Sequence, residues 1–409
     1  MYFVPDRTDL PDRRYDLDWL RILAFGLLIF YHTGMLYVAD WEFHVKSQYQ
    51  SENLQTVMLL VNPWRMPILW MISGIAIRFI LAKVSLGRFI VQRSYRLLLP
   101  LLFGILVVIP PQLYYEMTQN GDLQMNYWQF YSRFFELDNP IFKDYSPGIW
   151  HHIDVNHLWY LRELWTFSLY LIVLLPILNS RFFCKAADWL ARLNGYLLTI
   201  IITIPIFVIQ LVIDDTKDAL GFLFLVYGYI LGWHPLFWQR LKRNSKQLLI
   251  VSLVCYGLFA IFYNLVWIKQ AGDTNQRLLL SGMVIYSLDR IVWVMTALAL
   301  SFKFLNQNSD KLNYFSQAVY PYYILHQTVI IMIGYEITQF RLGPVLEPAF
   351  VLLVTFFVCA SGFEVIRRVD ILRPLFGLKL KGSYKQSTTL LAKTVTTLLV
   401  LGLGLEIFI

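Results

Sequence analysis

The sequence predicts an all-α polytopic membrane protein of about ten to eleven transmembrane helices around a central cavity. Two observations carry this expectation. The 409 residues are 57% hydrophobic and only 15% charged, whereas a soluble domain holds about 45–50% apolar and about 25% charged residues. The apolar residues also gather in stretches of about 20, enough to cross a hydrocarbon core of about 30 Å. Such a chain is not a disordered segment, a collagen or a disulfide scaffold. Cys255 and Cys359 fall inside apolar stretches and Cys184 in a short basic loop, so no disulfide framework is expected.

The expected spans lie at about 20–38, 56–80, 97–115, 157–178, 196–213, 219–238, 247–268, 280–302, 318–339, 345–366 and 389–409. Residues 1–370 read as one transmembrane domain, and 371–409 as a basic cytoplasmic segment with an extra C-terminal helix. Ile22–Val38 is too long for a signal peptide, and no small-residue cleavage site follows it. Segments alternating from the N-terminus hold most of the 35 Lys and Arg residues, which predicts a cytoplasmic N-terminus. The acidic loop at 116–156 then faces outward. The net charge of +8 follows from these cytoplasmic loops, so membrane lipids rather than nucleic acid are the expected polyanionic partner.

Charged or polar groups within a span need a reason, since each costs at least about 2.5–3.5 kcal/mol at the bilayer centre. The first span carries Asp16, Asp18, Arg21 and His32. Arg21 and His32 fall within about 20° of one helix face and about 16 Å apart along the axis. Arg21 is either a membrane anchor or part of a polar path, and His32 either a packed imidazole or a reactive one. In the second span, Arg65 between Pro63 and Pro67 is expected to face a cavity, and Ser73-Gly74 to mark close helix packing. Arg93 and Arg96, one turn apart, could grip phosphates bidentately or anchor to lipid headgroups.

The fourth span follows His151, His152, Asp154 and His157. These could ligate zinc, but the spacing matches no metal motif and no Cys joins, so no metal is expected. Arg162 with Glu163, and Asp289 with Arg290, read as buried ion pairs. His326 in the ninth span reads, by itself, as a core histidine.

Taken together, these motifs resemble the integral-membrane acyltransferase family 3. The resemblance rests on Leu17-Asp18-Trp19-Leu20-Arg21 followed by His32, on Arg65-Met66 with Ile72-Ser73-Gly74, and on Arg93-Ser94-Tyr95-Arg96. His157-Leu158-Trp159 and Tyr323-Ile324-Leu325-His326 complete it. Phe43-His44-Val45-Lys46-Ser47 is similar to the branch that modifies periplasmic glucans. The likeness implies a bacterial inner-membrane enzyme moving an acyl group, succinyl in that branch with acetyl as the alternative, from cytoplasmic acyl-CoA to an extracytoplasmic saccharide hydroxyl. Acyl-CoA is a co-substrate, and no resident cofactor is implied.

On that reading His32 is the general base, with an acyl-His intermediate as the alternative. Arg93 and Arg96 hold the CoA phosphates and Arg21 lines the path of the thioester arm. The same reading sets Asp18, Arg65, His157, Trp159, Glu163 and His326 beside the substrates. A transporter or a lipid or polysaccharide flippase would also use buried charges; it would release no CoA, and no inverted repeat is visible.

Overall fold

The computed structural model describes residues 13–145, 148, 150–268 and 275–380. The expected final span at 389–409 lies outside the described residues. In chain order the helices begin with α1 (Tyr15–Met35), α2 (Glu52–Leu59), α3 (Arg65–Leu81), α4 (Leu86–Phe103), α5 (Pro110–Asn120) and α6 (Tyr127–Arg133). There follow α7 (Trp159–Leu178), α8 (Arg181–Arg192), α9 (Gly195–Val212), α10 (Lys217–Leu231) and α11 (Pro235–Arg243). The last are α12 (Ser245–Phe262), α13 (Gln276–Phe304), α14 (Asp310–Gln339), α15 (Leu346–Ile366) and the short α16 (Leu372–Leu375). No strand forms among the described residues, only the isolated bridges Val38–Ser51 and Trp150–Ile153.

Six helical segments among the described residues are long and apolar enough to cross a membrane. They are Leu86–Asn120, Asn156–Leu178, Gly195–Val212, Ser245–Trp267, Gln276–Phe304 and Leu346–Ile366. A seventh arises if α10 and α11 count as one span broken by a bend of 103°. The expected 219–238 span is therefore not straight. Its break precedes Pro235, where His234 takes the extended conformation that a following proline favours (ψ 119). The indole of Trp238 donates to the Gly232 carbonyl at 2.8 Å, which satisfies a group that the break would leave bare.

The expected 56–80 span is likewise interrupted. α2 ends at Leu59 and α3 starts at Arg65, with the Trp64 indole donating to the Leu60 carbonyl at 2.6 Å across the turn. Arg65 thus opens a helix rather than sitting within one. α1 and α14 have 21 and 30 residues, but Asp16, Asp18, Arg21 and His32 in one, and His326, Gln327 and Thr328 in the other, lower their apolar character.

The chain divides into two compact units. The first comprises Met1–Leu27, Gln55–Leu86 and Phe167–Asn313. At its centre α3 and α10 touch backbone to backbone. A Cβ on Gly74 would lie 1.9 Å from the Leu225 carbonyl oxygen, and one on Gly228 2.0 Å from that of Met71. Ser73-Gly74 does mark close helix packing. In the same unit Asp289 forms no ion pair with its neighbour, contrary to expectation. Arg290 instead donates to the Pro63 carbonyl at 3.0 Å and lies 4.4 Å from the Tyr286 ring centre.

The second unit comprises Leu28–Leu54, Gly87–Thr166 and Tyr314–Ile409. Here the expected acidic loop proves to be folded. α5 continues to Asn120, and Gly121 closes it in the left-handed conformation (φ 82). α6 then starts from a reciprocal capping box between Asn126 and Gln129. Leu113, Met117, Leu123, Phe130, Phe134, Phe142 and Ile153 give this segment its own apolar core.

Candidate active site

Three imidazoles meet inside the second unit. The rings of His32 and His326 lie 5.2 Å apart, and those of His326 and His157 5.4 Å apart. His32 is half-buried in α1 and stacks on Phe43 at 6.0 Å; the other two are buried. The sequence singled out each of these histidines, but on three separate elements.

A break in one helix builds the frame around them. Gly104–Val108 is a π-helical turn between α4 and α5, and Pro110 and Pro111 follow without N–H groups. The carbonyls they leave bare become anchors. That of Leu106 accepts the Tyr131 hydroxyl at 2.9 Å. That of Val108 accepts the Thr328 hydroxyl at 2.7 Å, because the Gln112 N–H turns to Ile109 at 2.8 Å. The Gln112 side-chain amide then donates to Thr328 Oγ1 at 2.7 Å and reaches His157 Nδ1 at 3.1 Å, while Gln327 donates to Gln112 Oε1 at 3.1 Å.

These partners fix the ring tautomers. His157 Nε2 donates to the Ile324 carbonyl at 2.9 Å, so Nδ1 is the acceptor of the Gln112 bond. Both nitrogens of His157 are thus spent on the protein. His326 Nδ1 donates to the Tyr323 carbonyl at 2.7 Å, and Tyr323 donates its hydroxyl to the His157 carbonyl at 2.5 Å. The lone pair of His326 is therefore on Nε2, a buried atom with no hydrogen-bond partner among the described residues.

The first connecting segment closes over the cluster. Lys46 Nζ donates to the Met35 and Val38 carbonyls at 2.9 and 2.6 Å, as suits a cation at a helix C-terminus. Lys46 and Gln119 exchange two further bonds at 2.7 and 2.8 Å. Ser47 donates to the buried Glu347 at 2.5 Å. His44 pairs with Glu116 through Nδ1. Phe43-His44-Val45-Lys46-Ser47 is thus a folded clasp on α5 and α15.

Two cavities open in this unit. One, of about 490 Å³, is lined by His44, Glu116, Asp122, Asp144, His152 and Asp154 among others. The other, of about 180 Å³, is lined by Tyr95, Arg96, Gly377 and Lys379 with three apolar neighbours. Arg96 enters this second cavity; Arg93 is half-buried a turn earlier, 5.9 Å from the Phe89 ring centre. Arg96 and Glu116 belong to the single Leu86–Asn120 span. At about 1.5 Å per residue they are about 30 Å apart along it, which is the thickness of a bilayer core.

A family profile described as an acyltransferase domain matches residues 14–363. The chain belongs to the acyltransferase 3 family. No curated protein and no solved structure matches the chain. With its apolar helices, an acyltransferase 3 domain makes the protein a membrane acyltransferase.

The remaining predicted site residues of this acyltransferase 3 domain divide between the units. Asp18 bridges Arg13 at 3.0 Å and Arg21 at 3.6 Å in the first, which also holds Arg65. Glu163 pairs with Arg162 at 2.7 Å in the second, four residues after Trp159 at the start of α7. The sequence reading missed Gln112, Thr328, Gln327 and Lys379. The paired prolines before Gln112 were the one local signal for its place.

Proposed function

We propose that the protein moves a succinyl group from cytoplasmic acyl-CoA to a hydroxyl of a periplasmic glucan, across the bacterial inner membrane, with its N-terminus in the cytoplasm. The observation that carries this reading is the arrangement along one membrane-spanning rod. A basic cavity stands at one end, an acidic one about a bilayer core away, and the imidazoles join the rod at Gln112, one turn before Glu116. The excess of basic residues on one set of loops supports a cytoplasmic place for the basic end. The resemblance to glucan biosynthesis protein C supplies the succinyl group and the glucan.

The chemistry follows from what each side chain can offer. Arg96 and Lys379 in the basic cavity, with Arg93 beside it, attract the phosphates of CoA. Trp159 and Glu163 on α7 shape the path of the thioester arm. A saccharide hydroxyl is a weak nucleophile and needs a base. His32 is the most accessible of the three imidazoles and takes the hydroxyl proton as the oxygen attacks the thioester carbonyl. The tetrahedral adduct collapses with loss of the CoA thiolate, which recovers the proton from the imidazolium. His326 Nε2 accepts a hydrogen bond from the substrate, and His157, with both nitrogens held, keeps His326 and Tyr323 in place.

Purified protein, succinyl-CoA and a glucan oligosaccharide provide the test, with release of the CoA thiol as readout. Wild type should release CoA only when the acceptor is present. A folded His32→Ala protein should lose about a hundredfold or more in turnover, the scale of general-base catalysis. Absence of acceptor-dependent release from wild type, or near-wild-type turnover by His32→Ala, overturns the proposal.

A further inference from the structure

We infer that the acidic cavity is the acceptor subsite and that it selects a neutral saccharide over an anionic one. The inference rests on the transfer reading above and deepens it. Position comes first. Three pairs of chain neighbours join the cavity to the imidazole cluster: His44 follows Phe43, which stacks on His32; Leu113 follows Gln112, which bonds His157; and Asn156 precedes His157 itself. The lining is thus continuous in the chain with the cluster at three points. Leu113, Glu116 and Asn120 line it from one face of α5, and Ile109 from the residue before that helix.

The lining suits hydroxyl groups. Its volume of about 490 Å³ falls within the range of about 300–1,000 Å³ common for small-ligand sites. Carboxylates accept two hydroxyls each, and the amides of Asn120 and Asn156 offer both donor and acceptor. Much of this polarity is already oriented. Tyr145 donates to Asp122 at 2.5 Å and accepts from Asn120 at 3.0 Å. Asp154 accepts the Val155 N–H at 2.6 Å. Asp144 is exposed and has no hydrogen-bond partner among the described residues.

His152 independently points to a ligand. It is 5% exposed, stacks on Phe142 at 3.7 Å and donates from Nε2 to the Phe134 carbonyl at 2.7 Å. Its Nδ1 is buried without a hydrogen-bond partner among the described residues, and is the acceptor this ring has left for a hydroxyl. Burial also pushes the imidazole below its ordinary pKa, so it remains neutral beside the carboxylates. A cation is the weaker occupant, because no three His, Cys, Asp or Glu side chains among the described residues converge on a metal-sized point.

The charge sets the specificity. Glu116, Asp122, Asp144 and Asp154 repel a saccharide carboxylate, so a uronate-containing glycan is disfavoured. A glycan that has just gained a succinyl carboxylate is expelled by the same field, which favours product release.

Equilibrium binding of a neutral gluco-oligosaccharide and of its uronate counterpart of equal length, without acyl donor, tests this on the full chain in detergent. The neutral ligand should bind at least about tenfold more tightly at low salt, and the margin should narrow as salt screens the carboxylates. Asp144→Asn, at an exposed position, should weaken the neutral ligand several-fold and narrow the margin further. Equal or tighter uronate binding, indifference to Asp144→Asn, or sugar binding abolished by a chelator and restored by calcium each overturns the inference. Since no donor is present, these outcomes are separate from the transfer reaction. A protein that binds with this selectivity but releases no CoA removes the transfer reading alone. One that transfers succinyl yet ignores Asp144 removes the cavity alone.

Discussion

Arg65 holds a place that helix electrostatics do not explain. A cation in the first turn of a helix opposes the macrodipole, yet Arg65 opens α3. A succinyl donor brings a carboxylate into the membrane and needs a compensating cation, whereas an acetyl donor does not. Arg65→Leu should therefore reduce succinyl transfer by about ten- to a hundredfold, the worth of one charge-assisted contact, and acetyl transfer far less. Parallel assays with both donors give the comparison; equal loss of both activities makes Arg65 structural and removes the succinyl assignment. At the basic cavity, Arg96→Ala and Lys379→Ala should each weaken acyl-CoA binding about tenfold or more by calorimetry and leave oligosaccharide binding unchanged. An unchanged affinity would mark these residues as lipid anchors. His32, His157 and His326 were legible in the sequence one at a time, because an imidazole inside an apolar stretch stands out. Their meeting was not, because the helical period relates residues within a helix and says nothing of which helices touch. Asp289 and Arg290 mislead because Arg290 turns to the Pro63 carbonyl and the Tyr286 ring, partners that lie far from it in sequence, whereas the equally adjacent Arg162 and Glu163 do pair.

The helix pair α3 and α10 depends on glycine at its contact. Gly74→Val and Gly228→Val each force a side chain into a backbone carbonyl and should cost about 1–3 kcal/mol or more, seen as a lower melting temperature in detergent. Gly26→Ala and Gly257→Ala meet nothing within 4 Å and should be neutral to stabilising; if all four variants melt alike, the close contact is not what holds α3 to α10. The folded segment that carries α6 should also respond to pH. His152 is held below its ordinary pKa mainly by burial, so the unfolded segment binds a proton that the folded one does not. Stability then rises with pH and is lost on acidification below about 6.5. Hydrogen exchange across α6 should show this dependence in wild type and a flatter one in His152→Phe; identical profiles would acquit His152. Long apolar helices such as α9, α12 and α15 were readable to within a few residues. The breaks before α3 and α11 were signalled by Pro63 and Pro235, but apolar character carried the reading across them. The segment that carries α6 read as a loop because its core is drawn from scattered aromatics on short elements, which leave no periodic trace.

At the scale of the whole molecule, the feature on which the proposal rests is that a basic and an acidic cavity are lined by residues about 30 Å apart along one span, with the imidazoles near the acidic end. Such a layout suits a reaction whose two substrates never share a compartment. Composition foretold a membrane protein. It could not foretell the acidic cavity, which needs His44, α5 and the 121–155 segment brought together in space. The central claim, transfer across the bilayer, is tested most directly by liposomes holding the purified protein in one orientation. Succinyl-CoA is sealed on the side of the basic cavity and a neutral glucan oligosaccharide is supplied only on the other. The account predicts succinylated oligosaccharide in the acceptor compartment and an equal amount of free CoA retained with the donor. Product that forms only when both substrates share one compartment, or no product at all, would contradict it.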